Sequence, residues 1–302
     1  MTTTQPPISD FEISQPCQHN YPVVFNSPHS GAYYRDDFIA ASRLGTLNLR
    51  KSEDSFVDQL FDNMPDLGCP LLKANFPRAF LDVNRGPWEL DPKMFSDPLP
   101  SYVETKTLRV VGGLGTIARN VSETEQIYRE KLTFAEAKAR IERYYFPYHQ
   151  ALKQLINTTR EQFGQTVLID CHSMPSNAAP YANTGGLFKS HSKKPDIILG
   201  DRYSAACDSA FINHLEDLFG SAGFNTARNK PYAGGYITRT YGRPAQSVHV
   251  IQVEINRGLY MHEKTITKTA DFELLKQTLT AIFENFLHTA PFAISQRSLA
   301  AE

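Results

Sequence analysis

The sequence predicts an α/β protein: a mixed, mostly parallel sheet flanked by helices. Two observations lead there. Short apolar runs of strand length alternate along the chain with longer amphipathic stretches, and the runs are apolar enough to belong to a sheet covered on both faces. No repeat, low-complexity segment or linker interrupts this alternation, so residues 1–302 are expected to form a single domain with short flexible tails at both ends.

The expected strands are Val23–Phe25, Pro70–Ala74, Ala79–Val83, Thr166–Asp170, Asp196–Leu199 and Val248–Ile255. Between them lie expected helices. Glu53–Asn63 carries Phe56, Val57, Leu60 and Phe61 on one side, and a long amphipathic stretch runs from Phe134 to about Gln162. Pro147 lacks the N–H that a helix interior needs, so it is expected to kink or divide that stretch. Two further helices are expected from about Ser204 to Phe219 and from Ala270 to about Leu287. Pro87–Gly115, rich in Pro, Gly and Asp, reads as a long excursion over the surface of the kind that roofs a site.

Bulk composition narrows the function. Of the 302 residues, 41% are hydrophobic and 21% charged, an ordinary globular balance. With 31 basic residues against 32 acidic ones, the net charge is −1, which argues against a nucleic-acid binder. No apolar run approaches the ~20 residues that span a bilayer. The start, MTTTQPPISDF, has neither the basic nor the apolar region of a signal peptide. Cys17, Cys69, Cys171 and Cys207 are scattered and form no C-x-x-C pair, as expected of free thiols in a reducing, cytoplasmic setting.

Candidate chemistry lies at the ends of the expected strands. FNSPHSG places His29 just after Val23–Phe25, and LIDCHSMPS places His172 just after Thr166–Asp170. Loops leaving the C-terminal ends of parallel strands converge on one sheet edge, where ligands bind. Singly, each histidine reads as an ordinary structural residue. In matching positions the two imidazoles can meet at one zinc ion, whose catalytic sites take a third protein ligand and keep one position for water. Glu53 and Asp54 are the nearest carboxylates, although Ser52 or Asp54 would serve equally as a helix cap.

In Val248–Ile255 alternate residues share a face, so Val248, Val250, Gln252, Glu254 and Asn256 point one way. A carboxylate on an apolar strand is costly to bury unless it is paired, metal-bound or functional. Glu254 therefore reads either as the partner of Arg257 or as a general base. Arg85 and Arg257 each follow Asn at the end of an apolar run, and a guanidinium holds a carboxylate through two parallel hydrogen bonds. Arg78, Arg239 and Arg243 read as solvated surface residues when taken singly. Asp170 shares the face of His172 and can orient it, whereas Cys171 faces the other way and forms no dyad with that ring. His149 and His249 read as structural. Gly112, Gly113 and Gly115 lack a following Gly-Lys-Ser/Thr and read as a turn rather than a phosphate loop.

The motifs SPHSG, SEDSFVDQLFD, FPRAFLDVNRGPWELDP, LGTIAR, IERYYFPYH, LIDCHSMPS, ILGDR, NKPYAGGYITRTYGRP and QVEINRGLYM resemble the N-formylglutamate amidohydrolase family, from about Val23 to Met261. The resemblance implies a zinc-carboxypeptidase-like (phosphorylase/hydrolase-like) fold and hydrolysis of N-formyl-L-glutamate to formate and glutamate in histidine degradation. It implies His29 and His172 as zinc ligands and Glu254 as the catalytic carboxylate. It also implies that Arg85, with Asn84 beside it, holds a substrate carboxylate, and that Arg239 or Arg257 forms a second clamp. Carboxypeptidases place a glutamate ligand three residues after the first histidine; here Ala32 stands there. The third ligand is then expected from the SED segment, with Asp54 preferred to Glu53. Two alternatives accompany this expectation: deacylation of another N-acyl amino acid or short peptide on the same scaffold, and non-catalytic binding of a diacid.

Overall fold

The computed structural model describes residues 8–121, 125–177 and 194–292; the expected terminal tails lie outside them. Seven strands form one sheet: β1 (Phe11–Ser14), β2 (Val23–Ser27), β3 (Leu71–Ala74), β4 (Thr166–Met174), β5 (Ile197–Gly200), β6 (Thr226–Arg228) and β7 (Val248–Asn256). Their order is β1-β3-β2-β4-β7-β5-β6. Strand β4 runs parallel to β2 and to β7, and β5 is parallel to β6 but antiparallel to β7. The expected mixed, mostly parallel sheet flanked by helices is present.

The chain gathers into two compact units. One comprises Ser14–Ser27, Phe56–Leu71 and Ala151–Glu302. It holds β2 and β4 to β7, with helices Ser209–Ser221 and Phe272–Thr289. Every residue of β2, β4 and β5 is buried, as expected for strands covered on both faces. Leu275, Leu279, Ile282, Phe283 and Phe286 recur at helical spacing along Phe272–Thr289 and enter the core. There Phe25 lies 5.9 Å from Phe61 and 5.1 Å from Phe283, ring centre to ring centre. Burying each such ring contributes about 1.5–3 kcal/mol.

The other unit comprises Met1–Ile13, Pro28–Ser55 and Leu72–Gln150. A capping box of Thr133 and Glu136 starts the helix Phe134–Arg140, satisfying N–H groups that the first turn leaves open. The stretch expected to be kinked or divided at Pro147 is divided there: a second helix, Phe146–Phe163, follows Phe134–Arg140 and carries the proline in its first turn. Ahead of that helix the five residues Ile141–Tyr145 widen into a π turn, in which the Phe146 N–H reaches back to the Ile141 carbonyl. The wide turn falls just before the proline, whose missing donor would otherwise interrupt the ladder. Phe80 packs edge-on against Phe38 and Tyr144, and the Arg140 guanidinium lies 4.1 Å above the Phe80 ring.

Several expectations need correction. Ala79–Val83 is buried but is not a strand: Phe80 and Leu81 turn back to the Pro77 carbonyl, and the Asp82 N–H donates to the Thr116 carbonyl. Glu53–Asn63 forms only one helical turn, Val57–Leu60, because Phe56 before it is left-handed at φ 67°. Strand β4 continues to Met174, so His172 lies within a strand rather than after it. The third helix begins at Ser209, where the Asp208 carboxylate accepts from the Ala210 N–H and fixes the start. Short strands β1 and β6 were not expected. The Pro87–Gly115 segment is largely irregular, yet it is more than a surface excursion: Leu90, Met94, Phe95, Val103 and Val110 are buried. Among the described residues no helix is long and apolar enough to cross a membrane.

Candidate metal and catalytic site

Two residues after β2, His29 is held by carboxylates. Its Nε2 lies 2.7 Å from Asp82 Oδ1, and its Nδ1 lies 3.4 Å from Asp54 Oδ2. An ionised carboxylate only accepts, so the short contact places the ring proton on Nε2 and leaves the Nδ1 lone pair facing Asp54. That is the arrangement of a metal-ligating imidazole whose far nitrogen is anchored by a carboxylate. The backbone reinforces it, since the Asp54 N–H donates to the His29 carbonyl at 3.0 Å. Gly31 brings the next turn close to the chain at Phe76, where any Cβ would sit 2.2 Å from the carbonyl oxygen.

Asp82 collects further donors. Arg78 Nε lies 3.0 Å from Oδ2, the Asn84 N–H donates to Oδ1 at 2.8 Å, and Arg85 Nη2 lies 3.5 Å from Oδ2. Burial alone would raise the Asp82 pKa; the Arg85 guanidinium, His29 and Arg78 outweigh it and hold the carboxyl well below the usual range. Arg85 is itself buried and donates to the carbonyls of Leu114 at 3.0 Å and Asn84 at 2.8 Å. Burial lowers its pKa, and Asp82 opposes that shift.

Glu53 and Asp54 separate in role. Glu53 accepts from Arg50 Nε at 3.1 Å on both oxygens and from Ser55 Oγ at 2.7 Å, and burial raises its pKa. Asp54, not Glu53, joins the two histidines. One donor atom from each of His29, Asp54 and His172 lies within 4.8 Å of the others, and all three residues are buried. Two imidazoles and a carboxylate at this spacing are a donor set that suits a divalent cation such as zinc.

His172 and Glu254 are register partners on the adjacent parallel strands β4 and β7, as are Asp170 and Gln252. The period of two puts Asp170 and His172 on one face, as expected, and Cys171 in the hydrophobic core on the other. Asp170 accepts from Asn26 Nδ2 at 2.7 Å, and its second oxygen lies 3.1 Å from His172 Nε2. Glu254 is buried and accepts from Gln252 Nε2 at 2.9 Å.

The arginine candidates part company. Arg257, buried just beyond β7, donates from Nε to Ser173 Oγ at 3.1 Å, one residue from His172. Arg239 is exposed on helix Tyr236–Tyr241, above the Tyr236 ring at 5.5 Å. His149 and His249 are structural, as expected: His149 Nε2 meets the Val83 carbonyl at 2.8 Å, and His249 Nδ1 accepts from the Asp208 N–H at 3.1 Å. Sequence reasoning missed Asp82 and Gln252. The signal for Gln252 was present in its shared face with Glu254. The signal for Asp82 was a lone carboxylate in the apolar run Ala79–Val83.

The sequence profile described as N-formylglutamate amidohydrolase matches residues 21–261. An N-formylglutamate deformylase of Pseudomonas putida is 30% identical over 277 residues, covering 88% of this chain and 93% of that protein. An N-formylglutamate deformylase of Pseudomonas aeruginosa is 28% identical over 246 residues, covering 80% and 83%. The crystal structure of N-formylglutamate amidohydrolase from Ralstonia eutropha JMP134 superposes with a TM-score of 0.85 at 34% identity, covering 93% of this chain and 99% of that one.

Proposed function

Because the chain belongs to the N-formylglutamate amidohydrolase family, an enzyme family, we propose that it hydrolyses N-formyl-L-glutamate to formate and L-glutamate, as a step of histidine degradation. The observation that carries this reading is the buried group His29, Asp54 and His172, with donor atoms within 4.8 Å of one another, beside Glu254 on the neighbouring strand. We take the three as ligands of one zinc ion. When bound, the ion would supply Lewis acidity and lower the pKa of water towards about 7.

Glu254 takes the proton from the attacking water and returns it to the leaving amine of glutamate. Asp82 keeps the His29 ring in one tautomer and orientation. Asn84 and Arg85 receive one substrate carboxylate. Arg85 is pre-positioned by Asp82 and two backbone carbonyls, and these contacts leave guanidinium N–H groups over for a ligand. Arg257, buried beside Ser173, supports the second clamp better than exposed Arg239.

Metal analysis combined with formate release from N-formylglutamate tests the proposal. Glu254→Gln should retain the metal and lose turnover. Near-full activity in a metal-loaded Glu254→Gln protein would sink the assignment. A panel of formyl-, acetyl- and succinyl-glutamate separates the acyl groups, which a pocket distinguishes by only about 1–3 kcal/mol per methylene.

A further inference from the structure

The proposed hydrolysis makes no use of Gln252. This residue lies on β7 two positions before Glu254, hence on the same face, and is buried. Its Nε2 donates to Glu254 Oε1 at 2.9 Å, and its Oε1 accepts from the Gly235 N–H at 2.9 Å. A carboxylate only accepts and a backbone N–H only donates, so the amide can sit just one way round. The side chain is fixed at both ends.

The far end is itself built. Gly200 on β5 is the register neighbour of Gln252, and a Cβ there would meet the Ala233 carbonyl carbon at 2.8 Å and the Gly234 nitrogen at 2.9 Å. Glycine at 200 thus lets the 232–235 turn descend over the sheet onto Gln252. Arg202 pins that turn: its N–H donates to the Ala233 carbonyl at 2.8 Å and its Nη1 to the Gly234 carbonyl at 3.2 Å. Gly234 is at φ +115°, a conformation that side-chain-bearing residues rarely adopt.

We propose that Gln252 is a positioning residue that holds the Glu254 carboxylate in its proton-accepting orientation, anchored by the Gly235 N–H through a turn that Gly200 admits. The inference rests on Glu254 being the proton carrier. A buried carboxylate with one oxygen pinned has lost rotation about its terminal bond, and misplacing a reacting group by about 1 Å can cost on the order of 100-fold in rate.

The test compares Gln252→Met, Gly200→Ala and Glu254→Gln with the parent full-length, metal-loaded protein. It measures metal content, melting temperature, and kcat and KM for N-formylglutamate. Gln252→Met keeps the side-chain length but donates nothing. It should keep the metal and a near-parental KM while kcat falls on the order of 10- to 100-fold. A loss of packing alone would lower the melting temperature without this split. Parental kcat in Gln252→Met overturns the proposal. Should that variant fail to fold, Gly200→Ala decides: it leaves Gln252 and Glu254 intact but displaces the turn, so kcat should fall at unchanged KM, and parental kcat refutes the inference. Glu254→Gln separates the two levels. If it is inactive while Gln252→Met is fully active, only the positioning role falls. If it retains turnover, or the parent releases no formate, the functional reading itself fails and the inference with it.

Discussion

Asp82 Oδ1 lies 2.7 Å from His29 Nε2, and the same carboxylate meets Arg85 Nη2 at 3.5 Å. One buried anion therefore orients both a candidate metal ligand and a candidate substrate clamp. Neither neighbour is incidental to its charge: the Asp82 carboxyl stays ionised in a fully buried setting because guanidinium and imidazole groups surround it.

Removing that charge should act on the metal and on the fold together. Asp82→Ala is expected to weaken zinc affinity by roughly 10- to 100-fold, the usual consequence of losing the carboxylate behind a ligating histidine. It also leaves the Arg85 guanidinium buried without its anion, at about 3–5 kcal/mol of stability. Competition against a chromogenic chelator measures the first effect and urea denaturation the second. Unchanged affinity in a folded Asp82→Ala protein would show that His29 does not depend on Asp82 for its orientation.

A separate histidine should make stability depend on pH. His249 is shifted down from its ordinary pKa of 6.5, mainly by burial, with nearby Asp208 opposing the shift. Its neutral Nδ1 accepts the Asp208 N–H. As pH falls below 6.5, the unfolded chain takes up this proton before the folded one, so the His249 contribution to stability is present above 6.5 and is lost towards the lower folded value. His249→Asn, whose side-chain oxygen can accept the same N–H, should flatten this part of the profile. Urea unfolding between pH 5 and 8 reads the difference, and parallel profiles for parent and variant would count against the assignment.

Much of this was legible in the sequence because β2, β4 and β7 are mostly apolar in their first halves and gather most of their polar residues towards the C-terminal ends. Alternation along β7 was enough to put Gln252 and Glu254 together, and along β4 to part Cys171 from His172. Ala79–Val83 misled for a physical reason. A buried apolar run looks the same whether or not a neighbouring strand exists to pair with it, and here Asp82 bonds to the Thr116 carbonyl instead. The SEDSFVDQLF stretch misled likewise: Val57, Leu60 and Phe61 reach the core, but the helix they suggest is one turn long because Phe56 is left-handed. The donors to Asp82 come from His29, Arg78, Asn84 and Arg85, and no local pattern announces that they meet.

The two second-clamp candidates differ enough in setting to give opposite kinetic outcomes. Arg257 is buried and donates to Ser173 Oγ beside His172; Arg239 is exposed on its helix. A clamp that grips the substrate equally in the ground and transition states changes KM and leaves kcat largely alone. Losing one charge-assisted hydrogen bond to a carboxylate removes about 1.5–3 kcal/mol, or roughly 10- to 150-fold in KM. Arg257→Met should therefore raise KM for N-formylglutamate by that order, whereas Arg239→Met should leave it within about threefold, as expected of a solvated side chain. Arg257→Lys should recover only part of the loss, since an ammonium cannot offer a carboxylate two parallel donors. Steady-state kinetics on metal-loaded proteins decide it. A large KM effect confined to Arg239→Met would move the clamp from the end of β7 to the helix Tyr236–Tyr241.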